Sequence, residues 1–428
     1  MGIGEQYNAE FYRDLGKKYI EEGNFYDAIL CYKNSIQLEP ENYDSWFYLA
    51  FALNGNKQID DAIIAYQKAL LINPEAVSVY RNLGNIFYTI KNDPEMAIQC
   101  YEKLVEYQPE NINAKGALGA AYLKAKNYKE GWEYFENRPN KEIVVSIRGI
   151  FPDSPIKTKP LWLGEPIENK ILYVYYEGGF GDAIMFARYL PLLKNKCKKV
   201  LFRPQVGCIE LFKENNLDTE VLDTSVAENQ LDFDVHTPIM SLPYLLKLNT
   251  EKDLPFAQGY LKSSPEKVKF YKEKYFDNNK FKIGIKWQGN TVYETKRSIT
   301  LDLFYKLFEL KNTQFYSLQK DEGIEQLERA FEYDIVDLGS TFNDFSDTAA
   351  AIENLDLIIC NDTSVAHLAG AMGKKCWIVL PFIQDWRWTS DLSYCAWYKS
   401  VRFFQQSEDG NWSSAFERVY EELSKIPL

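Results

Sequence analysis

The sequence predicts an α-helical repeat array followed by an α/β region built on parallel sheets. Three observations carry this expectation. A small residue recurs at positions 16, 50, 84 and 119, steps of 34, 34 and 35, inside helical apolar patterns. An apolar run at 355–360 passes through Asn361-Asp362-Thr363-Ser364, four helix-capping residues, into a helical pattern that ends at Gly373, and a second apolar run follows at 375–380. That is a strand–helix–strand unit. Another strand run, 171–176, meets Glu177-Gly178-Gly179-Phe180-Gly181-Asp182 and then a helical pattern through Ile184, Phe186, Ala187 and Leu190.

Composition bounds the class. With 428 residues, 46% of them hydrophobic, the chain has material for two or three packed domains. Lys+Arg number 49 against 61 Asp+Glu, a net −12, which excludes a non-specific nucleic-acid binder. The seven cysteines form no C-x-x-C pair and read as reduced core thiols, and two histidines exclude a His-rich metal site. The start lacks a basic, apolar leader, Gln6 stands where a myristoylation signal needs Ser or Thr, and no run reaches the roughly 20 apolar residues of a membrane span. A soluble, cytoplasmic protein is expected.

The first third repeats Tyr12, Leu15, Gly16, Tyr19, Ala28, Tyr32, Pro40 as Trp46, Leu49, Ala50, Leu53, Ala62, Tyr66, Pro74 and again as Tyr80, Leu83, Gly84, Phe87, Ala97, Tyr101, Pro109. This is the tetratricopeptide (TPR) pattern. A weaker fourth copy holds Leu118, Gly119, Tyr122, Gly131 and Phe135, and the extra residue is expected in the turn Lys91-Asn92-Asp93-Pro94. Residues 1–140 are therefore assigned to about four repeats, stacked with a concave face that suits a peptide or a neighbouring protein; self-association is the alternative. Residues 141–164, with Pro152, Pro155 and Pro160 after Pro139, read as a linker.

Beyond it, residues 165–270 and 271–428 read as two Rossmann-like halves, the second closing with a helix near 411–425. Strand runs are expected at 199–203, 220–222, 231–236, 281–290 and 314–320. Lys296, Arg297, Gln319, Lys320, Asp362 and Thr363 then fall at or just past the carboxyl ends of strands, where open parallel sheets bind ligands. Cations there suit a diphosphate, and a helix N-terminus beginning at Ser364 adds backbone N–H groups. His367 lies one turn into that helix, on the face of Ser364. Asp182 fits either a helix cap or a base. Gly179, Gly181, His236, Trp287, Asp385 and Trp386 are the remaining candidates for lining the cleft. Asp232-Phe233-Asp234 spells the short D-x-D pattern of metal-dependent sugar transfer, but a parallel sheet often ends its strands in Asp, so no metal site is assigned to it.

Residues 177–182, Arg297-Ser298, 317–320, 362–367, 385–388 and Trp397-Tyr398 resemble bacterial TPR-linked glycosyltransferases with a heptosyltransferase-like catalytic region, glycosyltransferase family 9. Ser364 departs from that family's usual glycine. The resemblance implies a GT-B fold, with the acceptor on the first half and a nucleotide-diphosphate sugar on the second. It implies inverting transfer to a hydroxyl on a protein docked by the repeats, with Asp182 as the base, Glu177 as its fallback, and no metal or other cofactor. Two other readings stay open: a non-catalytic TPR scaffold with a degenerate site, and a lipopolysaccharide- or glycan-directed enzyme. The sugar, the acceptor and any homo-oligomer stay unassigned.

Overall fold

The computed structural model describes residues 7–138, 155–289, 295–408 and 410–427. The first six residues and most of the expected linker, 139–154, lie outside them. The chain divides into two compact units, 1–122 and 123–428.

The first unit is a series of antiparallel helix pairs: α1 (Ala9–Glu21) with α2 (Phe25–Leu38), α3 (Tyr43–Gly55) with α4 (Ile59–Ile72), and α5 (Val77–Thr89) with α6 (Pro94–Tyr107). It ends at Tyr122, within α7 (Ile112–Lys124). In two of the pairs a glycine faces a tyrosine. A Cβ on Gly16 would lie 2.8 Å from the Tyr32 ring, and one on Gly84 would lie 2.5 Å from the Tyr101 ring. Ala50 and Tyr66 are likewise buried. Helices α1, α2, α3 and α6 begin on side-chain caps, Asn8, Asn24, Asn42 and Asp93, each accepting a backbone N–H. The turns inside the repeats use left-handed backbone at Gly23, Lys57, Asn92 and Lys126, spaced 34, 35 and 34 residues apart. With the longer step from Gly84 to Gly119, this places the extra residue between 84 and 92, at or before the start of the expected turn 91–94.

The second unit opens with α8 (Tyr128–Phe135) and carries two wholly parallel sheets. The first orders its strands β3-β2-β1-β4, from β1 (Ile167–Tyr175), β2 (Cys197–Arg203), β3 (Glu220–Val221) and β4 (Val235–Pro238). Only the end of the expected 231–236 run is strand. Asp234 stays in the loop before β4, where its carboxylate accepts the Ile171 N–H at 2.7 Å, so half of the D-x-D pattern closes a strand edge.

The second sheet runs β10-β9-β8-β5-β6-β7, from β5 (Phe281–Lys286), β6 (Thr313–Ser317), β7 (Ile335–Asp337), β8 (Leu357–Asn361), β9 (Cys376–Leu380) and β10 (Val401–Gln405). The chain builds β5 to β7 outward, then returns to lay β8 on the other side of β5. That reversal makes a crevice at the carboxyl ends of β5 and β8. Helices α9 (Phe180–Phe186), α10 (Ile209–Lys213), α11 (Leu242–Leu245), α12 (Pro265–Tyr275), α13 (Tyr305–Phe308), α14 (Phe345–Glu353), α15 (Ser364–Ala371) and α16 (Ser413–Leu423) connect or follow the strands. α16 covers the second sheet through Ala415, Phe416, Val419 and Leu423, which share a core with Ile283, Ile285 and Ile359. β8 is buried along its whole length, as its unbroken apolar run requires. No helix of the described residues is long and apolar enough to cross a membrane.

Candidate functional site

α9 and α15 follow the central strands β1 and β8, and their first turns meet. A Cβ on Gly181 would stand 2.9 Å from the His367 ring and 3.5 Å from Ser364 Cα. Gly181 is therefore a close-approach residue. Beside this contact lies a cleft of about 880 Å³ with walls from both sheets. Its volume is in the range of a small-molecule site. Gly179, Gly181, Asp182, Arg297, Gln319, Lys320, Asp362, Thr363, Ser364 and His367 all line it. Residues nearly two hundred positions apart thus line one cleft.

Their roles divide sharply. Asp182 Oδ2 accepts the Gly179 N–H at 2.8 Å, the cap, while Oδ1 accepts Arg387 Nε at 2.9 Å and Nη2 at 2.6 Å. Gly178 makes room for this: its φ is +76°, and a Cβ there would stand 2.3 Å from Asp182 Oδ2. Arg387 Nη1 also reaches Asp385 Oδ1 at 2.7 Å. Asp385 thus holds the arginine that holds Asp182. Arg387 itself, which lines the cleft, belongs to the 385–388 run, but nothing local in the sequence marks it as the partner of a residue 205 positions earlier.

On the second sheet, Arg297 Nη1 pairs with Asp362 Oδ2 at 2.9 Å, and Asn361 Nδ2 donates to the Arg297 carbonyl at 2.9 Å. Lys320 Nζ donates to the Phe342 carbonyl at 2.7 Å. Gln319 is 1% exposed. Its amide accepts the Gln288 N–H at 3.1 Å and donates to the carbonyls of Gln288 at 3.0 Å and Glu322 at 2.6 Å. Gln319 therefore ties the loops after β5 and β6 together and presents little to a ligand. Thr363 takes the N-cap position of α15 without a side-chain cap bond, leaving its hydroxyl 3.4 Å from the Asn361 carbonyl.

His367 is buried, stacks on Trp388 with centroids 4.8 Å apart, and has Nδ1 3.1 Å from Tyr398 Oη. Burial, then the nearby Arg387, pushes it down to about 3. It is a neutral wall of the cleft at pH 7 and supplies no positive charge.

The remaining candidates stand elsewhere. Lys296 is exposed and outside the cleft lining. His236 is buried with Nδ1 3.4 Å from Tyr175 Oη, and burial lowers its pKa. Trp287 is fully buried and donates its indole N–H to the Gly323 carbonyl at 3.1 Å. Trp386 packs against Trp132 and Phe135 of α8. All three belong to the core. Glu177 is 1% exposed and held by Arg138 Nε at 2.7 Å and Nη2 at 2.6 Å. A carboxylate so enclosed has no route to a substrate proton, which removes it as the fallback base. Among the described residues no group of three or more His, Cys, Asp or Glu is placed to hold a metal ion.

Comparison with known proteins separates the two units. The tetratricopeptide repeat family matches residues 31–64 and 77–111. Tetratricopeptide repeats are present. Protein FlbA of Caulobacter vibrioides is 24% identical over 429 residues, covering 92% of this chain and 69% of FlbA. Protein O-mannosyl-transferase Tmtc3 of Drosophila melanogaster is 26% identical over 119 residues, 28% of this chain and 13% of Tmtc3. Among solved structures, MamA is 28% identical with a TM-score of 0.29, over 30% of this chain and 75% of MamA. The repeats thus have many relatives, while the similarity to FlbA extends through nearly the whole chain.

Proposed function

We propose that the chain is an inverting glycosyltransferase of GT-B architecture that moves a sugar from a nucleotide-diphosphate sugar to a hydroxyl, with a protein acceptor held by the repeats. The observation that carries this reading is the cleft at the carboxyl ends of β5 and β8, with Asp182 entering from the other sheet. Thr363, Ser364 and the first N–H groups of α15 face the place where a diphosphate would sit, with Arg297 and Lys320 beside it. As the sugar–phosphate bond breaks, charge develops on the departing diphosphate, and those donors stabilise it. The acceptor hydroxyl attacks the anomeric carbon from the opposite face and loses its proton to Asp182. Both Asp182 oxygens already accept hydrogen bonds, yet a carboxylate offers about four lone-pair sites, so capacity remains. The whole-chain similarity to FlbA supports a single working unit; the shared stretch of Tmtc3 is too small a part of that protein to bring its chemistry here.

One observation favours a second reading, a binding-only site on a TPR scaffold. The Asp182–Arg387 pair neutralises the base in place. The following measurements decide. A panel of nucleotide sugars is screened by thermal shift, where a true donor raises the melting temperature by mass action. Thr363→Val weakens that donor by about 1–3 kcal/mol if its hydroxyl meets the phosphates. Asp182→Asn lowers turnover by about 10²–10⁴-fold and donor affinity far less. Donor binding without any transfer by the unaltered chain selects the scaffold. Removing residues 1–111, which spares α8, abolishes transfer to protein while slow donor hydrolysis continues. Transfer at the full rate by the shortened chain rules out the repeats as the acceptor site.

A further inference from the structure

The switch point of the second sheet holds a cation that the proposed reaction has not used. Lys286 ends β5, opposite Cys360 of β8. It is 8% exposed and lines the cleft. Among the described residues its ammonium makes no hydrogen bond and no ion pair. The other cations of the cleft are committed: Arg297 to Asp362, Arg387 to Asp182 and Asp385, and Lys320 to the carbonyls of Phe342 and Asn343. An incoming anion therefore meets cations whose N–H groups already have partners, carboxylates for the two arginines and carbonyls for Lys320, except at Lys286. A buried amine without a partner is costly to keep, and a strand end in an apolar core would accept a leucine there.

We propose that Lys286 is the counter-charge for a diphosphate bound at this switch point, and that the protein takes up a proton from solvent at Lys286 as that ligand binds. The ligand class rests on the nucleotide-sugar reading; the placement of the amine does not. Burial pushes Lys286 down to about 8, against the smaller opposing pull of Cys360 and Asp321. Those two groups act on it from β8 and from the loop after β6, and Asp182, Arg297, Lys320, Glu322, Asp344, Asp362 and Arg387 are the other charged groups lining the cleft. A diphosphate entering this desolvated space favours the ammonium form. The free protein thus loses the proton near pH 8 and the complex holds it to higher pH. Affinity is level below about pH 8 and falls as pH rises beyond it, with proton uptake in that upper window. Arginine at the same place would stay charged throughout.

The test is titration calorimetry of the full chain with ADP, GDP, UDP and CDP, and with inorganic pyrophosphate as a probe that needs no base. Each is run at about pH 7 and about pH 9 in two buffers of different ionisation enthalpy. The unaltered protein should show a buffer-dependent enthalpy at the higher pH that exceeds that of Lys286→Arg, which should bind with level affinity across the range. Lys286→Met should bind at least about tenfold more weakly at pH 7, with an unchanged circular dichroism spectrum. Equal buffer dependence in the unaltered protein and Lys286→Arg overturns the proposal. So does Lys286→Met binding as tightly as the unaltered chain, or an unaltered chain that binds neither pyrophosphate nor any nucleotide. If pyrophosphate binds through Lys286 and no nucleotide or nucleotide sugar binds, the inference stands and the nucleotide-sugar reading falls. If a nucleotide binds and Lys286 is indifferent, only the inference falls.

Discussion

The two units are held together by different chemistry. Among the described residues every buried charged side chain lies in the second unit, whereas the polar residues buried in the first unit, tyrosines aside, are Ser35 and Ser45, 2.8 Å apart. Ion pairs in the repeats are at the surface, as for Lys91–Asp60 and Lys103–Glu106. A repeat needs only apolar faces that fit the next copy, because each copy meets the same few neighbours. The second unit instead buries Arg138 with Glu177, and Lys286, Asp362 and His367 around its cleft. Such groups cost desolvation energy. Their retention marks where the molecule has been shaped by something other than stability.

The sharpest way to break this contrast is Arg138→Met. It strands Glu177, 1% exposed, without its bidentate partner. The second unit should lose about 3–5 kcal/mol in urea unfolding, and the pair Arg138→Met with Glu177→Gln should recover most of it. A loss below about 1 kcal/mol would mean that the buried charges there are as dispensable as surface ones.

Overpacking should be the matching weakness of the repeats. Gly84→Ala places a methyl 2.5 Å from the Tyr101 ring and should cost about 1–3 kcal/mol. Gly23→Ala meets nothing within 4 Å, and its φ of +73° alone should cost about 1 kcal/mol. If the two variants melt alike, ring-on-glycine packing is not what joins the helices of a pair.

Acid should separate the units as well. Both histidines of the chain, His236 and His367, lie in the second unit. Burial holds His367 neutral, from an ordinary 6.5 down to about 3. The folded state then binds fewer protons than the unfolded one between those values, so stability is complete above 6.5 and drains as pH falls. The slope is at most about 1.4 kcal/mol per pH unit for this group. Urea midpoints of the second unit at about pH 7 and about pH 5 should differ by less in His367→Gln than in the unaltered protein. An identical difference would place the acid sensitivity elsewhere.

The smallest effect is expected from Lys126→Ala. Its ammonium meets Asp391 at 2.9 Å with side chains 21% and 47% exposed, so the loss should stay within about 1 kcal/mol. Set beside Arg138→Met, it tests burial at constant chemistry within one unit.

The repeats were legible because their determinants are local. Gly16 and Tyr32, or Gly84 and Tyr101, lie a helix hairpin apart, so a period written in residue types is also a period in space. The left-handed turn positions share that period without sharing an identity, Gly, Lys, Asn and Lys, and only the backbone shows them. The strand ends were legible for a similar reason. An apolar run followed by Asn361-Asp362-Thr363-Ser364 must leave a sheet and start a helix, and parallel topology places such ends on one edge.

Which of those residues face a ligand is another matter. Lys296 and Arg297 are neighbours of like charge, yet Arg297 turns to Asp362 while Lys296 stays outside the cleft. Gln319 and Trp287 sit at strand ends but spend their polar atoms on nearby carbonyls. Asp182 reads from sequence as a cap or a base; its salt bridge to Arg387 depends on the turn after β9, 386–388, reaching the start of α9.

By itself, then, the sequence determined the repeat array, the parallel strands and the edge on which polar residues gather, since these follow from spacing along the chain and from backbone preference. Only the tertiary structure decided that Glu177 is sealed behind Arg138, that His367 is neutral, and that Lys286 alone among the described cations of the cleft faces it without a partner. Burial and pairing are properties of groups far apart in sequence, and the energy of a charge depends on what surrounds it more than on which residue carries it.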